Sequence, residues 1–278
     1  MGTMNAILLN NEALIRLGCF IGVFILMAIW EALAPRRTLH IKRRVRWPNN
    51  LGVVLLSTLL LRIIMPITAV GLALLTESAQ WGLLHQLNLP PWLAVILALL
   101  CLDLAIYLQH VMFHAVPALW RLHRMHHADL EFDVTTGARF HPLEIILSMT
   151  IKLMVIAALG PSATAVLIFE VLLNALAMFN HGNVSLSLNL DGLLRKVIVT
   201  PDMHRVHHSV IPRETNSNFG FNLSFWDRCF GTYRAQPEHG HQEMTIGIES
   251  FRTPRDLGLD RMLIQPFVSS SGNYPINR

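Results

Sequence analysis

The chain has 278 residues, of which 53% are apolar and only 14% are charged. Soluble domains carry about 25% charged residues, so this deficit predicts a membrane protein, and the apolar content excludes disordered and fibrous classes. The net charge is +4, and the three cysteines are too few for a disulfide framework or an iron–sulfur cluster.

Five apolar stretches are long enough to be membrane helices, because about 20 residues span the hydrocarbon layer. They cover residues 13–34, 51–75, 92–108, 143–159 and 163–179. Pro66 is expected to kink the second helix rather than end it. The last two stretches, joined at Gly160, form either two full spans or a hairpin that dips into the membrane and returns. The pattern predicts an all-α, polytopic membrane bundle of about four to five membrane helices.

The basic residues predict the orientation of the bundle, because short loops rich in Lys and Arg stay in the cytoplasm. Six of them fall within residues 36–46, whereas residues 1–12 and 77–91 contain none. This places the N-terminus outside and the segments after the third and fifth helices in the cytoplasm. The basic loop is interpreted as a topology signal attracted to anionic lipids rather than as a nucleic-acid site.

No internal repeat or linker divides the sequence, so residues 1–278 are expected to form a single integral membrane domain. N-terminal membrane helices occupy residues 13–75, and a region rich in histidine occupies residues 92–235. A polar C-terminal tail covers residues 236–278.

Histidine is the compositional outlier, with 14 residues in the chain. Three clusters stand out: His110 and His114; His123, His126 and His127; His204, His207 and His208. Residues three or four apart share one face of a helix, so each cluster presents its imidazoles together. One His-x-x-His-His triplet is expected by chance in roughly one chain in thirty, so two of them indicate a functional site. The isolated histidines, by contrast, are expected to be surface or capped residues: His40, His85, His239 and His241.

Clustered imidazoles at a membrane surface are unfavourable when protonated, which indicates that their lone pairs bind metal ions. At about four nitrogen ligands for each ion, the clusters predict two metals in a helical cytoplasmic cap. Imidazole suits zinc, copper, iron and nickel alike. The sequence lacks the H-E-x-x-H motif of zinc hydrolases, and this number of ligands fits a redox pair better. Two irons that activate dioxygen beside a lipid are therefore favoured.

Residues 103–233 resemble the fatty acid hydroxylase and sterol desaturase superfamily of membrane di-iron enzymes. The similarity rests on DLAIYLQHVMFH, LWRLHRMHH, RFHPLE, NHGNVSL, TPDMHRVHHS and NFGFNLSFWDRCFGTY. It implies metal ligands at His110, His114, His123, His126, His127, His204, His207 and His208, with His181 as a ninth. His141 is implied as either a ligand or a neighbour of one. Val111 stands where many members have arginine in the first box, which puts a local salt bridge in doubt but not the metal site.

Three further residues are candidates to support the ligands. Asp103 and Tyr107 share one stripe of the third helix with His110 and His114, and an acid within a membrane span is costly unless it has a partner. Asp103 is therefore expected to accept the second N–H of a ligating imidazole, although pairing with Arg62 or with another helix is the alternative. Asp202 is expected to act similarly from the cap.

The function predicted from these features is that of a membrane oxidoreductase that hydroxylates or desaturates a lipid C–H bond. Dioxygen is the expected co-substrate, and the residues do not choose between hydroxylation and desaturation. No G-x-G-x-x-G fingerprint follows a strand, so an external donor is implied: a ferredoxin, a cytochrome or a flavoprotein reductase. The lipid is expected to be a glycerolipid or acyl lipid rather than a sterol, and no nucleic-acid partner is expected.

Two alternatives from other classes remain open. In the first, the histidines hold structural zinc in a catalytically silent lipid-binding or scaffold protein, although such a protein needs no open coordination position. A metal transporter would place its ligands along a path near the membrane midplane, whereas these clusters gather at helix ends and in the cap.

Overall fold

The computed structural model describes residues 9–269 together with Tyr274 and Ile276. Those residues form α-helices, three short 3₁₀ turns and three isolated β-bridges, without an extended strand. The helices are α1 Glu12–Leu33, α2 Arg43–Ile64, α3 Ala69–Ser78, α4 Leu83–Gln86, α5 Pro91–Ala115, α6 Pro117–His127, α7 Pro142–Leu159, α8 Ala163–Asn180, α9 Leu188–Leu194, α10 Pro201–His207, α11 Pro212–Thr215, α12 Phe225–Cys229, α13 Gly240–Glu243 and α14 Leu259–Ile264. Most of the predicted tail, residues 236–278, lies in the cap, but residues 270–273, 275, 277 and 278 are outside the described part.

Five segments of the described chain are long and apolar enough to cross a membrane. They are α1, the segment 43–86, α5, α7 and α8. The predicted all-α, multi-pass membrane fold is therefore confirmed. Residues 143–179 form two separate helices of 18 residues each, and both are long enough to span. A buried core between α3, α5, α7 and α8 includes Val70, Leu102, Ile156 and Phe169.

Pro66 ends a helix, so the predicted kink is wrong. Helix α2 stops at Ile64, and Met65 is extended at φ −98° and ψ 110°. The residue before a proline avoids the α region, and proline itself has no N–H for the helix. The hydroxyl of Thr68 then accepts a hydrogen bond from the Gly71 N–H at 3.0 Å and starts α3. The second span is consequently a broken helix.

Part of the predicted basic loop belongs to a helix instead. Helix α2 begins at Arg43, and Arg46 in its first turns is fully buried. Its guanidinium donates to Asp129 at 2.7 Å and to Asp133 at 2.5 Å. Burial alone would raise the pKa of Asp129, but the charges of Arg46 and Arg139 lower it far below its usual range. Arg46 therefore fastens α2 to the loop that follows α6 and is not available to attract lipid head groups.

Short turns bring the histidine clusters to one end of the bundle. Val116 alone separates α5 from α6, and Pro117 opens α6 at a position where a helix needs no N–H. At the other end Gly160 closes α7 in the left-handed conformation at φ 62°. Gly82 packs so closely there that a Cβ on it would lie 2.4 Å from the Gly160 nitrogen. The histidines thus lie at one end of the bundle, and the close contact of Gly82 with Gly160 lies at the opposite, glycine-tied end.

We predict that Arg46→Met destabilises the protein by about 3–5 kcal/mol, because it leaves two buried carboxylates without their cation. The free energy of unfolding in mixed micelles measures this change. Arg44→Met, which removes an exposed cation from the same turn, is the matched control and is expected to cost less than about 0.5 kcal/mol. Equal effects of the two substitutions would contradict the structural role of Arg46.

Candidate metal centre

Nine histidines converge at this end of the bundle, and all of them are buried. Helix α5 carries His110 and His114 near its end, and α6 carries the next three. His181 follows α8, while His204, His207 and His208 lie on α10 or at its C-terminus. The Thr200 hydroxyl caps α10 by accepting from Met203 N–H at 3.4 Å. Four helices from three separate regions of the sequence thus contribute to one site.

The nine side chains separate into two neighbouring groups. One group holds His110, His114, His123, His127 and His207, and the other holds His126, His181, His204 and His208. Within each group, one ring nitrogen from every residue lies within 4.8 Å of the others. The groups adjoin where the rings of His127 and His208 stack at 4.5 Å. All nine predicted positions meet in space, and among the described residues no tenth histidine joins them.

Hydrogen bonds on the outer side of the first group fix which ring nitrogen is protonated. His110 donates its Nδ1–H to the Phe219 carbonyl at 2.8 Å, and His123 donates its Nδ1–H to the Glu144 carboxylate at 2.6 Å. Because a backbone carbonyl only accepts, the lone pair of the neutral His110 ring is on its Nε2 atom. This Nε2 atom faces the Nε2 atom of His123 at 3.1 Å. A lone pair directed at a second ring nitrogen suits a shared metal ion.

The second group repeats this arrangement. His181 donates Nδ1–H to the Ala177 carbonyl at 2.8 Å, and His126 donates to the Arg139 carbonyl at 3.3 Å. Their Nε2 atoms lie 3.2 Å apart, and the Nε2 atom of His204 lies 3.1 Å from that of His181. His181, expected as a ninth ligand from the NHGN string, therefore lies at the centre of this group.

Several inward nitrogens have no partner at all, which tests whether the site suits metal ions. The Nε2 atoms of His114 and His207 and both ring nitrogens of His127 and His208 are buried without a hydrogen bond. Burial lowers the pKa of His127 and His208 well below its usual range, and neighbouring imidazoles lower it further. Burial likewise lowers the pKa of His181 to about 3. A neutral imidazole nitrogen with a free lone pair is the form of histidine that binds metals. The two groups of buried rings therefore fit two metal ions.

Glu144 is a functional candidate that the sequence analysis did not select. It lies in the first turn of α7, and its Oε1 holds the Nδ1–H of His123. Its Oε2 is buried without a hydrogen-bond partner. An acid at the start of a membrane helix, within the RFHPLE string, was the available signal. A carboxylate on the outer nitrogen fixes the tautomer of an imidazole and raises its basicity.

Asn216 is a second residue that the sequence analysis did not select. Its Oδ1 accepts from His114 Nδ1–H at 3.0 Å, while its Nδ2–H donates to the Tyr274 carbonyl at 2.6 Å. The second bond fixes the orientation of the amide, because only the NH₂ side can donate. Asn216 therefore leaves the His114 lone pair on the inward nitrogen, and nothing in its local sequence indicates this role.

His141 was expected to be either a metal ligand or a neighbour of one. It lies outside both histidine groups, so the geometry does not support a role as a ligand. Its Nδ1 accepts from the Leu143 N–H at 3.2 Å and caps α7. Its Nε2–H lies 3.3 Å from the Leu263 carbonyl, on the far side from the nine rings. The residue starts the helix that carries Glu144, and it affects the site only through that helix.

Asp103 does not hold an imidazole, contrary to expectation. Its Oδ2 accepts from Trp226 Nε1–H at 2.9 Å and from the Leu223 N–H at 3.2 Å, so it joins α5 to the cap. Of the two alternatives, pairing with Arg62 is not found, whereas pairing with another helix is, because Trp226 lies on α12. An indole and a backbone amide donate to one oxygen of this buried carboxylate because the chain segment after α10 folds back against α5, and Oδ1 has no hydrogen-bond partner.

Tyr107 is buried on the same stripe of α5, as expected, but it acts at a distance from the histidines. Its hydroxyl donates to the Thr232 hydroxyl at 2.9 Å, and that hydroxyl donates to Asp227 at 2.7 Å. Asp227 also accepts from the Phe219 N–H at 2.7 Å. These bonds fix the loop whose Phe219 carbonyl holds His110.

Asp202 is likewise occupied by cations rather than by a ligating imidazole. Arg36 donates to it at 3.1 Å, and Arg205 forms a close ion pair with it. Burial would raise the pKa of Asp202, but Arg205, His241 and Arg36 lower it. His241, expected at the surface, is instead buried with its Nε2 3.6 Å from Asp202. This cluster ties the segment after α1 to α10.

A cavity of about 260 Å³ extends between the membrane helices towards the histidine groups. Glu144, Phe140 and Phe221 line its inner end. The Phe140 ring stacks on His126 at 4.3 Å, and the Phe221 ring lies 6.3 Å from His110. Both histidine groups are therefore separated from the cavity by a single layer of side chains.

Comparisons with known proteins agree with this site. The family description "Fatty acid hydroxylase" matches residues 95–232. Ornithine lipid hydroxylase OlsE of Rhizobium tropici is 28% identical over 60% of this chain and 47% of its own length. The alkylglycerol monooxygenases of Homo sapiens and Xenopus tropicalis are 31% and 30% identical over 62% of this chain and 38% of theirs. The chain thus spans less than half the length of these relatives. No solved structure matches it significantly.

We predict that His141→Asn keeps the metal content of the purified protein unchanged, because asparagine still caps α7 and the position lies outside both groups. His127→Asn, at the junction of the groups, is expected to lower it. Elemental analysis of the two variants beside the wild type makes the measurement. A loss of metal in the folded His141→Asn protein would contradict this assignment.

We also predict that Glu144→Gln weakens metal binding by about 10- to 100-fold, because the amide removes the negative charge that strengthens His123 as a ligand. Competition with a chelator of known affinity measures the change. Glu243→Gln, an exposed cap residue, is the matched control and is expected to have no effect. An affinity equal to that of the wild type in Glu144→Gln would overturn the role of the carboxylate.

Proposed function

The chain belongs to the fatty acid hydroxylase family, and on that premise we propose that it is a membrane oxidoreductase with two irons that hydroxylates or desaturates a lipid C–H bond. The observation that carries the proposal is the pair of buried groups of five and four imidazoles, in each of which one ring nitrogen of every residue lies within 4.8 Å of the others. The relatives named a lipid hydroxylase and monooxygenases support the same chemistry. Dioxygen is the proposed co-substrate.

The proposed ligands are the nine grouped histidines, five around one ion and four around the other. When bound, two irons supply the redox chemistry by which dioxygen, two electrons and two protons place one oxygen atom in the lipid and release the other as water. A structural zinc site is tetrahedral and closed, with four ligands. The group of five has more nitrogen ligands than such a zinc needs, which favours a redox metal over a scaffold.

The protein itself orients the ligands and keeps the site dry. Backbone carbonyls, Glu144 and Asn216 hold the outer nitrogens, so the rings cannot rotate away from the centre. Phe132 and Phe219 cover the rings at 5.1 Å from His208 and His114. An apolar cover of this kind limits the access of water and protects reactive intermediates.

The lipid is proposed to enter through the cavity between the membrane helices. The cavity walls are largely apolar, and its inner end adjoins both histidine groups through Phe140 and Phe221. A membrane substrate can therefore reach the centre without leaving the bilayer. We propose a glycerolipid or acyl lipid, and residues 92–235 as the catalytic region.

Electrons are proposed to come from a separate ferredoxin, cytochrome or flavoprotein reductase. The histidine end of the bundle is the proposed docking side, because the centre lies there behind the cap. The distribution of lysine and arginine supports a cytoplasmic location for this end and an outside N-terminus. A transporter is disfavoured, since the nine histidines occupy one end of the helices rather than a path across them.

We predict about two irons per chain in protein expressed with iron-57, with magnetic coupling visible by Mössbauer spectroscopy. His126→Ala and His207→Ala, one from each group, are expected to lose iron and oxygen uptake on reduction. His239→Ala, which removes an exposed histidine, is the control and should retain both. Stoichiometric zinc under iron-replete expression, without oxygen uptake, would overturn the oxygenase in favour of a zinc-binding scaffold.

A further inference from the structure

The cavity has a polar column along one wall. Helix α7 contributes Glu144, Ser148 and Lys152, which are spaced by four residues and therefore share one face. Gln109 on α5 donates its Nε2–H to Ser148 at 2.9 Å. The rest of the lining is mainly apolar and includes Phe20, Val54, Leu61, Ile106, Met149 and Leu173, with Ser57, Thr58 and Asn174 among them. A column of polar groups beside apolar walls suits an amphipathic ligand.

Three charged side chains close the column at its outer end. Glu170 on α8 lies between Lys152 at 3.0 Å and Arg16 at 3.1 Å, and it is buried. Two cations and one anion leave this cluster with a formal charge of +1, while Glu144, the other acid of the cavity wall, lies at the far end of the column. An unbalanced charge within a membrane is costly, and residues that carry one commonly mark a ligand path. The excess charge here borders a cavity that a ligand can fill.

The charged cluster lies well away from the histidines. Lys152 and Glu144 are eight residues apart on α7, which corresponds to about 12 Å at 1.5 Å per residue. Lys152 is seven residues from the end of α7, and Glu170 is seven residues from the start of α8. The cluster is therefore closer to the glycine-tied end of the bundle, and the cavity runs from it towards the centre.

The cavity has an edge at the surface of the bundle. This edge lies between α1, which packs on α8, and α2, which packs on α7. Thr58 in its wall is exposed, and the Arg16 side chain is 34% exposed. Both residues face the lipid in a membrane. A lipid molecule can consequently reach Arg16 and Lys152 sideways from the bilayer.

We propose that this cavity binds a lipid through an anionic group, a carboxylate or a phosphate, held by Lys152 and Arg16. The anion neutralises the excess charge and accepts hydrogen bonds from the ammonium and guanidinium donors that Glu170 leaves free. The inference deepens the proposed function, on which it rests, by naming an anionic lipid as the substrate class. The carbon presented to the histidines then lies about 12 Å from the anionic group, within the apolar part of the lipid.

The inference is tested by measuring the binding of three probes that share the same hydrocarbon tail: oleic acid, oleyl phosphate and oleyl alcohol. The full-length protein is used as purified in an uncharged detergent, and the measured quantity is the affinity for each anionic probe relative to the alcohol. We expect at least one anionic probe to bind about tenfold more tightly than the alcohol, a preference that Lys152→Gln and Arg16→Gln largely abolish. The tighter of the two anionic probes identifies a carboxylate or a phosphate ligand.

Two further variants make the result specific. Glu170→Gln frees both cations and is expected to increase the preference for the anion, whereas Arg62→Gln removes an exposed cation outside the cavity and is expected to leave it unchanged. A merely structural cluster would lower thermal stability without changing the ratio of affinities. An equal ratio in the wild type, Lys152→Gln and Arg16→Gln overturns the inference.

Iron content measured on the same samples separates the two proposals. Iron without a preference for the anionic probes overturns the anionic substrate class alone. A preference without iron overturns the di-iron assignment and leaves the lipid site in place.

Discussion

The structure depends on holding nine imidazoles close together in a buried space. A protonated ring in this space would lie next to other imidazoles without water to solvate its charge. Each outer ring nitrogen that has a partner donates a hydrogen bond to an oxygen outside the two groups. Backbone carbonyls supply most of those oxygens, which makes the positions of loops and helix ends part of the site. The turn at Val116, the end of α8 and the start of α10 are therefore as important to it as the histidines themselves.

Buried carboxylates hold these loops in place. Glu31 on α1 accepts from the Val134 N–H at 2.7 Å and from the Asn183 N–H at 2.8 Å. Those two amides follow the second histidine cluster and His181, so one side chain joins two ligand-bearing segments. Asp227 does the same for the Phe219 loop, and Asp129 for the segment after α6. The acids of the cap thus organise the backbone around the centre.

The membrane helices bring a lipid and the centre together. Histidines on α5 and α8 lie at one end of the bundle, while the cavity between α1, α2, α7 and α8 extends from there into the apolar region. Glu144 belongs to both parts, because one of its oxygens holds His123 and the residue lines the cavity; its other oxygen is buried without a hydrogen-bond partner. Helix α7 then continues to Lys152, and a single helix links the ligands to the charged cluster.

The sequence by itself determined the membrane class, a range of four to five spans and the histidine positions, because apolar length and three- or four-residue spacing are local properties of the chain. It also selected Asp103, Tyr107 and Asp202, but it expected Asp103 and Asp202 to hold ligating imidazoles, which they do not. Partners are set by which distant segments meet, and Trp226, Thr232 and Arg36 lie 123, 125 and 166 residues away from them. Only the tertiary structure decided that His181 belongs with His126, that His141 is a helix cap and that Glu144 holds His123. Those roles depend on the direction of lone pairs and N–H groups in three dimensions, which no spacing along the chain records.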